Sequence, residues 1–241
     1  MASAKGPRDS GASFSHSSKG RLTVRDLERF PSDSLFDRIA RAVCAAGCLP
    51  RKELYEAWEV ARRVRRRFRG GRIVDLAAGH GLLGQVLLIL DHSSTEAILV
   101  DTTLPPSATK LGAALASVWP RLRTRVVVET RPLDSVDLGS DDLVVSSHAC
   151  GALTDRILER AVAARARVAV LPCCQDLAVN DDGGLSGWLE GSLAIDVVRA
   201  TRLGQQGYRV WTQTIPTEIT PKNRLLMAAP DTGALGRYPR E

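Results

Sequence analysis

Ile73-Val74-Asp75-Leu76-Ala77-Ala78-Gly79-His80-Gly81 is the stretch on which the fold of this chain turns. Residues 72–76 form a short run rich in β-branched side chains, which favours a buried strand. The glycines that follow mark a tight turn. Glycine has no Cβ and tolerates positive φ, so a ligand can approach the backbone there. Behind the turn, residues 82–90 are almost wholly apolar and read as a helix. Strand, glycine turn and helix in this order form the opening unit of an α/β sheet.

The alternation continues outward from that unit. Strands are predicted at 97–101, 125–129, 142–146 and 167–171, with helices near 107–118 and 153–164. After a helix near 193–206, strands at 208–215 and 223–228 flank a turn with Pro216 and Pro221, so the chain closes on a hairpin. Seven strands result, mostly parallel, with the last antiparallel. Ahead of the first strand, Leu35, Ile39 and Val43 recur at helical spacing behind Ser32 or Ser34, with Gly47 as a stop. Leu54, Trp58, Ala61, Val64 and Phe68 trace a second helix that ends at Gly70 and Gly71. The expected division is an unstructured tail over 1–20, a basic helical extension over 21–71 and a catalytic domain over 72–241. At 241 residues one full core is expected.

Charge is distributed unevenly. Residues 1–72 hold 17 Lys/Arg against 8 Asp/Glu, whereas the remainder holds 16 against 19. Arg62, Arg63, Arg65, Arg66, Arg67, Arg69 and Arg72 crowd the end of the second helix. Arginine suits bidentate phosphate contact, which makes RNA the leading partner class. A solvated helix C-terminus accounts for the same residues. With aromatic content at 5% and no zinc-finger spacing, no nucleic-acid recognition module supports the RNA reading. No apolar run reaches membrane-spanning length and no secretory core precedes the fold, so a cytoplasmic protein is expected. Five cysteines cannot make a complete disulfide set.

The turn at 73–81, with Asp101 at the end of the next strand, resembles motif I of the Rossmann-like S-adenosylmethionine (SAM)-dependent methyltransferases, with Ala77 in place of the motif's first glycine. The resemblance implies the class I fold and SAM as cofactor. It also implies that Asp75 lies near the methionine end, that Ala77, Gly79 and Gly81 line the cofactor, and that Asp101 holds the ribose. The segments HACGALTD (148–155), PCCQ (172–175) and TPKNRLL (220–226) further resemble a methyltransferase family that includes the methyltransferase domain of the glutathione S-transferase C-terminal-domain-containing protein and bacterial relatives. That likeness runs from about Arg72 to Ala229.

Strand pairing would gather His148, Cys150, Cys173 and Cys174 at adjacent strand ends, where ligands of such sheets bind. His148, Cys150 and Cys173 are therefore the catalytic candidates. Cys150 and Cys173 occupy places similar to the thiolates that RNA 5-methylcytosine methyltransferases add to C6 of the pyrimidine. His148 suits a general base. Zinc is not expected, because His-x-Cys with a distant Cys-Cys pair is poor ligand spacing. Tight packing beneath the cofactor remains a bland account of Cys174. No Asn/Asp-Pro-Pro-Tyr segment is present, which weakens methylation of an adenine amino group. Trp119, Trp188 and Trp211 read as core or lid residues, and residues 181–184 as a polar loop placed for a substrate lid. The expected activity is methyl transfer from SAM to RNA. The alternatives are a protein or small-molecule methyltransferase on the same fold, and an inert SAM- or RNA-binding module.

Overall fold

A computed structural model describes residues 15–147 and 149–231. Its centre is a seven-stranded sheet in the order β3-β2-β1-β4-β5-β7-β6. The strands are β1 (Gly71–Leu76), β2 (Ser94–Asp101), β3 (Val126–Thr130), β4 (Leu143–Ser146), β5 (Arg167–Val170), β6 (Tyr208–Thr214) and β7 (Arg224–Pro230). β7 slots between β5 and β6 and runs antiparallel to both, while the remaining neighbours pair in parallel. The helices are α1 (Leu35–Ala46), α2 (Arg51–Arg67), α3 (Leu82–Leu90), α4 (Ser107–Val118), α5 (Leu122–Arg125), α6 (Ala152–Ala163) and α7 (Gly191–Gln205). The expected fold class is thus observed, α5 being a short addition.

Pleating sorts each strand between two cores. Ile73 joins Leu99, Val145 and Met227 on one face, under Val43, Leu54, Val60, Leu87 and Leu115 of α1 to α4. Val74 and Leu76 join Val144, Val168 and Leu226 on the other, under Ile157, Ala161 and Leu203 of α6 and α7. Because α1 and α2 share a core with the sheet, hydrophobic packing runs unbroken across the 71/72 boundary. Leu54, Val60 and Val64 of α2 are fully buried, each contributing roughly 1.5–3 kcal/mol.

Local signals explain the helix ends. Ser34 Oγ accepts the Asp37 amide at the start of α1, and Gly47 closes it at φ +65°. α2 starts at Pro50, which supplies no side-chain cap. Its first amides instead bond outward, Arg51 N–H to the Gly20 carbonyl and Lys52 N–H to that of Ser18. The His16 ring stacks on Tyr55 with centroids 4.0 Å apart. This corrects the expectation for residues 15–20 of the tail: a helix without a capping side chain needs acceptors, and this segment provides them. Residues 1–14 of that tail lie outside the described residues. Among the described residues no helix is long and apolar enough to cross a membrane.

Candidate functional site

At the carboxyl ends of β1, β2, β4 and β5, where ligands of such sheets bind, lie two differently built halves of a candidate site. In the first, β1 passes into a turn where Ala77, Gly79 and Gly81 all have positive φ, at +54°, +55° and +73°. Asp101, at the end of β2, accepts the Gly79 amide at 2.9 Å. The Ala78 amide reaches the Val100 carbonyl at 3.0 Å, so the turn is stitched to β2. Gly81 and Gly84 are required by packing as well: a Cβ at either would come within 2.6 Å of Leu99. Their absence lets α3 lie close on the sheet and brings its N-terminus to the turn. Ala77 holds a left-handed conformation that costs a residue with a Cβ about 1–2 kcal/mol.

Asp75 is buried on the α3 side of the sheet, where its Oδ2 accepts the Gly84 amide at 2.9 Å. It thus serves as a remote cap for α3. Burial pushes its carboxyl up to about 8, with the Gly84 amide acting against the shift and the Asp101 charge adding to it. His80 ties the turn to its surroundings, with Nε2 3.0 Å from Ser107 Oγ of α4 and Nδ1 3.7 Å from Glu53 of α2. Burial pushes the Glu53 carboxyl up to about 7, and Glu56 adds to this. A cavity of about 680 Å³ adjoins the turn at His80, is lined also by Leu104, Pro106 and Thr130, and continues under α4 along β3.

In the second half, β4 and β5 separate into loops. The Leu171 amide bonds the Ser146 carbonyl, the Gly151 amide bonds the Cys174 carbonyl, and Cys150 and Cys174 form an isolated parallel bridge. Three sulfurs converge as a result. Cys150 Sγ lies 3.2 Å from Cys173 Sγ and 3.3 Å from Cys174 Sγ, and the last two are 3.8 Å apart. Burial pushes the Cys150 and Cys173 thiols above their ordinary value, and the neighbouring sulfurs raise Cys173 further. Activated thiolates need the opposite environment, one with nearby cations. His148 lies outside the described residues. Ser146 Oγ, at the end of β4, is buried without a hydrogen-bond partner among the described residues.

Residues that sequence reading passed over hold this half in place. Arg199 of α7, 2% exposed, pairs with Asp155 through Nε at 2.7 Å and Nη2 at 3.0 Å. It also reaches Asp196 at 3.2 Å and the Gly151 carbonyl at 3.2 Å. Asp196 accepts from Arg224 of β7 at 2.7 Å and from Gln175 at 3.2 Å. Asp155, Gln175 and Arg224 belong to the three segments HACGALTD, PCCQ and TPKNRLL, so the buried pair of Arg199 and Asp196 links them, Arg199 holding Asp155 and Asp196 holding Gln175 and Arg224. Loop residues beyond Cys174 are open to solvent, with Leu177, Val179 and Trp188 at 58%, 63% and 90% exposure. Trp188 is therefore no core residue, whereas Trp211 packs on Phe68.

The arginine-rich end of α2 lies elsewhere. Arg167, at the start of β5, donates to the Arg69 and Gly70 carbonyls, and Arg72 pairs with Asp142 just ahead of β4 at 2.6 Å. These are the amino ends of the strands. α2 itself spans about 25 Å from its Glu53 end beside the turn. Arg62 and Arg63 pair with Glu59, and Arg67 stacks over Trp211 with its Cζ 4.6 Å from the ring centroid. Arg66, Arg67 and Arg69 are exposed.

A family model described as a methyltransferase domain matches residues 52–180, from α2 through the cysteine loops. The chain belongs to this methyltransferase-domain family. Among solved structures it is similar to an O-methyltransferase family protein from Burkholderia thailandensis, at 17% identity and TM-score 0.51, covering 88% of this chain and 64% of that one. It is also similar to the M1A22 tRNA methyltransferase TrmK of B. subtilis, at 16% identity and TM-score 0.46, covering 73% and 64%. The chain thus spans under two thirds of the length of either, and at 17% identity the likeness to the first is one of fold. A search of curated proteins found no match.

Proposed function

We propose that this chain is a SAM-dependent methyltransferase. The observation that carries the reading is the join between β1 and β2: a glycine turn at the N-terminus of α3 whose Gly79 amide meets the carboxylate of Asp101 at 2.9 Å. Backbone amides and an acid at those two strand ends suit an adenosyl group, with Asp101 on the ribose and Ala77, Gly79 and Gly81 against its backbone-facing side. Ser146 Oγ, at the end of the neighbouring strand β4, is buried without a hydrogen-bond partner among the described residues, which suits a site that takes a polar ligand. Asp75 acts from beneath, fixing α3 and hence the turn. SAM, when bound, supplies an electrophilic methyl group.

The chain's own contribution is positioning, which can supply much of the rate of an in-line transfer. Cys150 and Cys173 form the wall on the acceptor side, with His148 as the candidate base for an acceptor that must lose a proton. RNA is the proposed acceptor class. The excess charge of residues 1–72 and the exposed Arg66, Arg67 and Arg69 support it. With those arginines at the far end of the sheet, the RNA would have to follow the length of α2.

Calorimetry on the purified chain should register binding of SAM and of its demethylated product. Labelled SAM incubated with chain and cell extract should then mark the RNA fraction, and the affinity for that RNA should fall steeply with salt. Absence of any heat sinks the cofactor reading. Label in protein or small molecules alone sinks the RNA reading and leaves methyl transfer standing.

A further inference from the structure

We propose that Cys150, Cys173 and Cys174 form a three-thiolate binding site for a thiophilic divalent cation, with zinc as its occupant. The three sulfurs all lie within 4.8 Å of one another, at separations of 3.2, 3.3 and 3.8 Å. Tetrahedral zinc with Zn–S bonds of about 2.3 Å places its sulfurs roughly 3.8 Å apart. One pair already has that separation, and the other two reach it by opening about 0.5 Å, a small side-chain rotation. Sequence spacing conceals the arrangement, since Cys150 stands on one strand loop and the Cys173-Cys174 pair on another. The parallel bridge between Cys150 and Cys174 and the Gly151 amide on the Cys174 carbonyl bring the loops into register.

The surrounding structure resembles the support of a ligand set more than the lining of a core. Thr154 Oγ1 fixes the Ala149 carbonyl at 2.9 Å and Arg199 fixes that of Gly151, so the backbone on either side of Cys150 is anchored. Cys150 and Cys174 are exposed and Cys173 is half-buried, which separates the trio from the enclosed Cys44 and Cys48. Three ligands on a solvent-facing site leave the fourth position open, the pattern of a zinc that takes an exogenous ligand. Loading exchanges three S–H protons for three Zn–S bonds and releases the protons to solvent, with no change of oxidation state. Metal binding itself is independent of the methyl-transfer reading.

The test uses the full chain, reduced and stripped of metal, titrated with zinc against a chromophoric chelator and with cobalt as a spectroscopic probe. About one equivalent should bind, with thiolate-to-cobalt charge-transfer bands. Cys150→Ser, Cys173→Ser and Cys174→Ser should each weaken zinc by at least about tenfold, while Cys44→Ser should not. In the unmodified chain, zinc should protect Cys150, Cys173 and Cys174 from alkylation as mapped by mass spectrometry, which covers the case of a variant that fails to fold. No stoichiometric binding, binding unchanged in the three variants, or no protection overturns the proposal. A disulfide among the three that forms in the presence of zinc overturns it as well. Heat from SAM in the same sample keeps the two readings apart: zinc without SAM sinks the methyltransferase, and SAM without zinc sinks the metal site.

Discussion

The proposed cofactor half of the site is held by backbone amides bonded to two carboxylates close in sequence, and the proposed acceptor half by side chains from distant parts of the chain. In the first, the decisive bonds join Gly79 to Asp101 and Gly84 to Asp75, all inside one strand-turn-helix-strand unit. In the second, Arg199 reaches back 44 residues to Asp155 and Arg224 reaches back 28 to Asp196. A turn made from glycines needs little beyond its own sequence. A pair of strand-end loops must be tied down from outside, and a buried ion network does this here. The two halves should therefore fail in different ways when disturbed.

The largest effect is expected at Arg199. Replacing it by Ala leaves Asp155 and Asp196 without their shared cation, and losing one partner of a buried pair costs roughly 3–5 kcal/mol. Denaturant midpoints should drop accordingly. In whatever fraction stays folded, SAM affinity should change little while methyl transfer disappears, because only the acceptor half is tied by this network. Equal loss of both would show that the halves are not separate.

A comparable effect is expected from pH at Asp75. Its carboxyl is raised from 3.8 to about 8 chiefly by burial. Below pH 4 both folded and unfolded chains hold the proton and the group is neutral in its contribution. Between 4 and 8 the unfolded chain releases a proton that the folded chain retains, so stability falls as pH rises and levels off above 8. One proton gives about 1.4 kcal/mol per pH unit across the window, so the whole decline is on the order of 5 kcal/mol at most. Glu53, raised to about 7, pulls in the same direction, whereas Asp91, lowered to about 2, acts only below the window. Urea midpoints between pH 5 and 9 should decline, and Asp75→Asn should flatten that decline. A rise with pH in the parent chain would refute this.

Asp101→Ala comes next. Removing a charged hydrogen-bond partner is worth about 1.5–3 kcal/mol, so SAM should bind roughly ten- to a hundredfold more weakly. The reverse of the Arg199 pattern should appear: affinity for the cofactor lost, zinc titration of the cysteine loops unaltered.

What the sequence reveals follows the same division. The seven strands and their flanking helices were legible because apolar periodicity and glycine punctuation are local, as Ser34 and Gly47 at the ends of α1 illustrate. That Asp75, Gly79, Gly81 and Asp101 would gather at one strand-turn-helix-strand unit was legible from their spacing, whereas the burial of Asp75 as a cap of α3 was not. Nor was Arg199. It sits in a helix among ordinary charged residues, and only the packing of α7 against α6 and β6 makes it buried. The trio of sulfurs was half legible: strand pairing predicted that the cysteines would meet, but their loops, not their spacing, set the S–S separations. Segment 15–20 was misread for a related reason, since its polar composition hides the α2 amides it serves.

The smallest predicted effect is also the cleanest test of the backbone half. Ala77 stands at φ +54°, where a Cβ is unfavourable and the family motif carries glycine. Ala77→Gly relieves about 1–2 kcal/mol of strain in the folded chain but adds freedom to the unfolded one, worth about 0.4–1 kcal/mol in the other direction. The net should be a gain of roughly 0.5–1 kcal/mol, read as a small rise in denaturant midpoint with an unchanged slope. Because the turn is already held by Asp101 and by the Val100 carbonyl, its shape should persist and SAM affinity should move less than about threefold. A loss of stability would mean that the Ala77 methyl group makes packing contacts worth more than its strain. The turn would then depend on side-chain packing as well as on its amide bonds, and the contrast with the acceptor half would lose its basis.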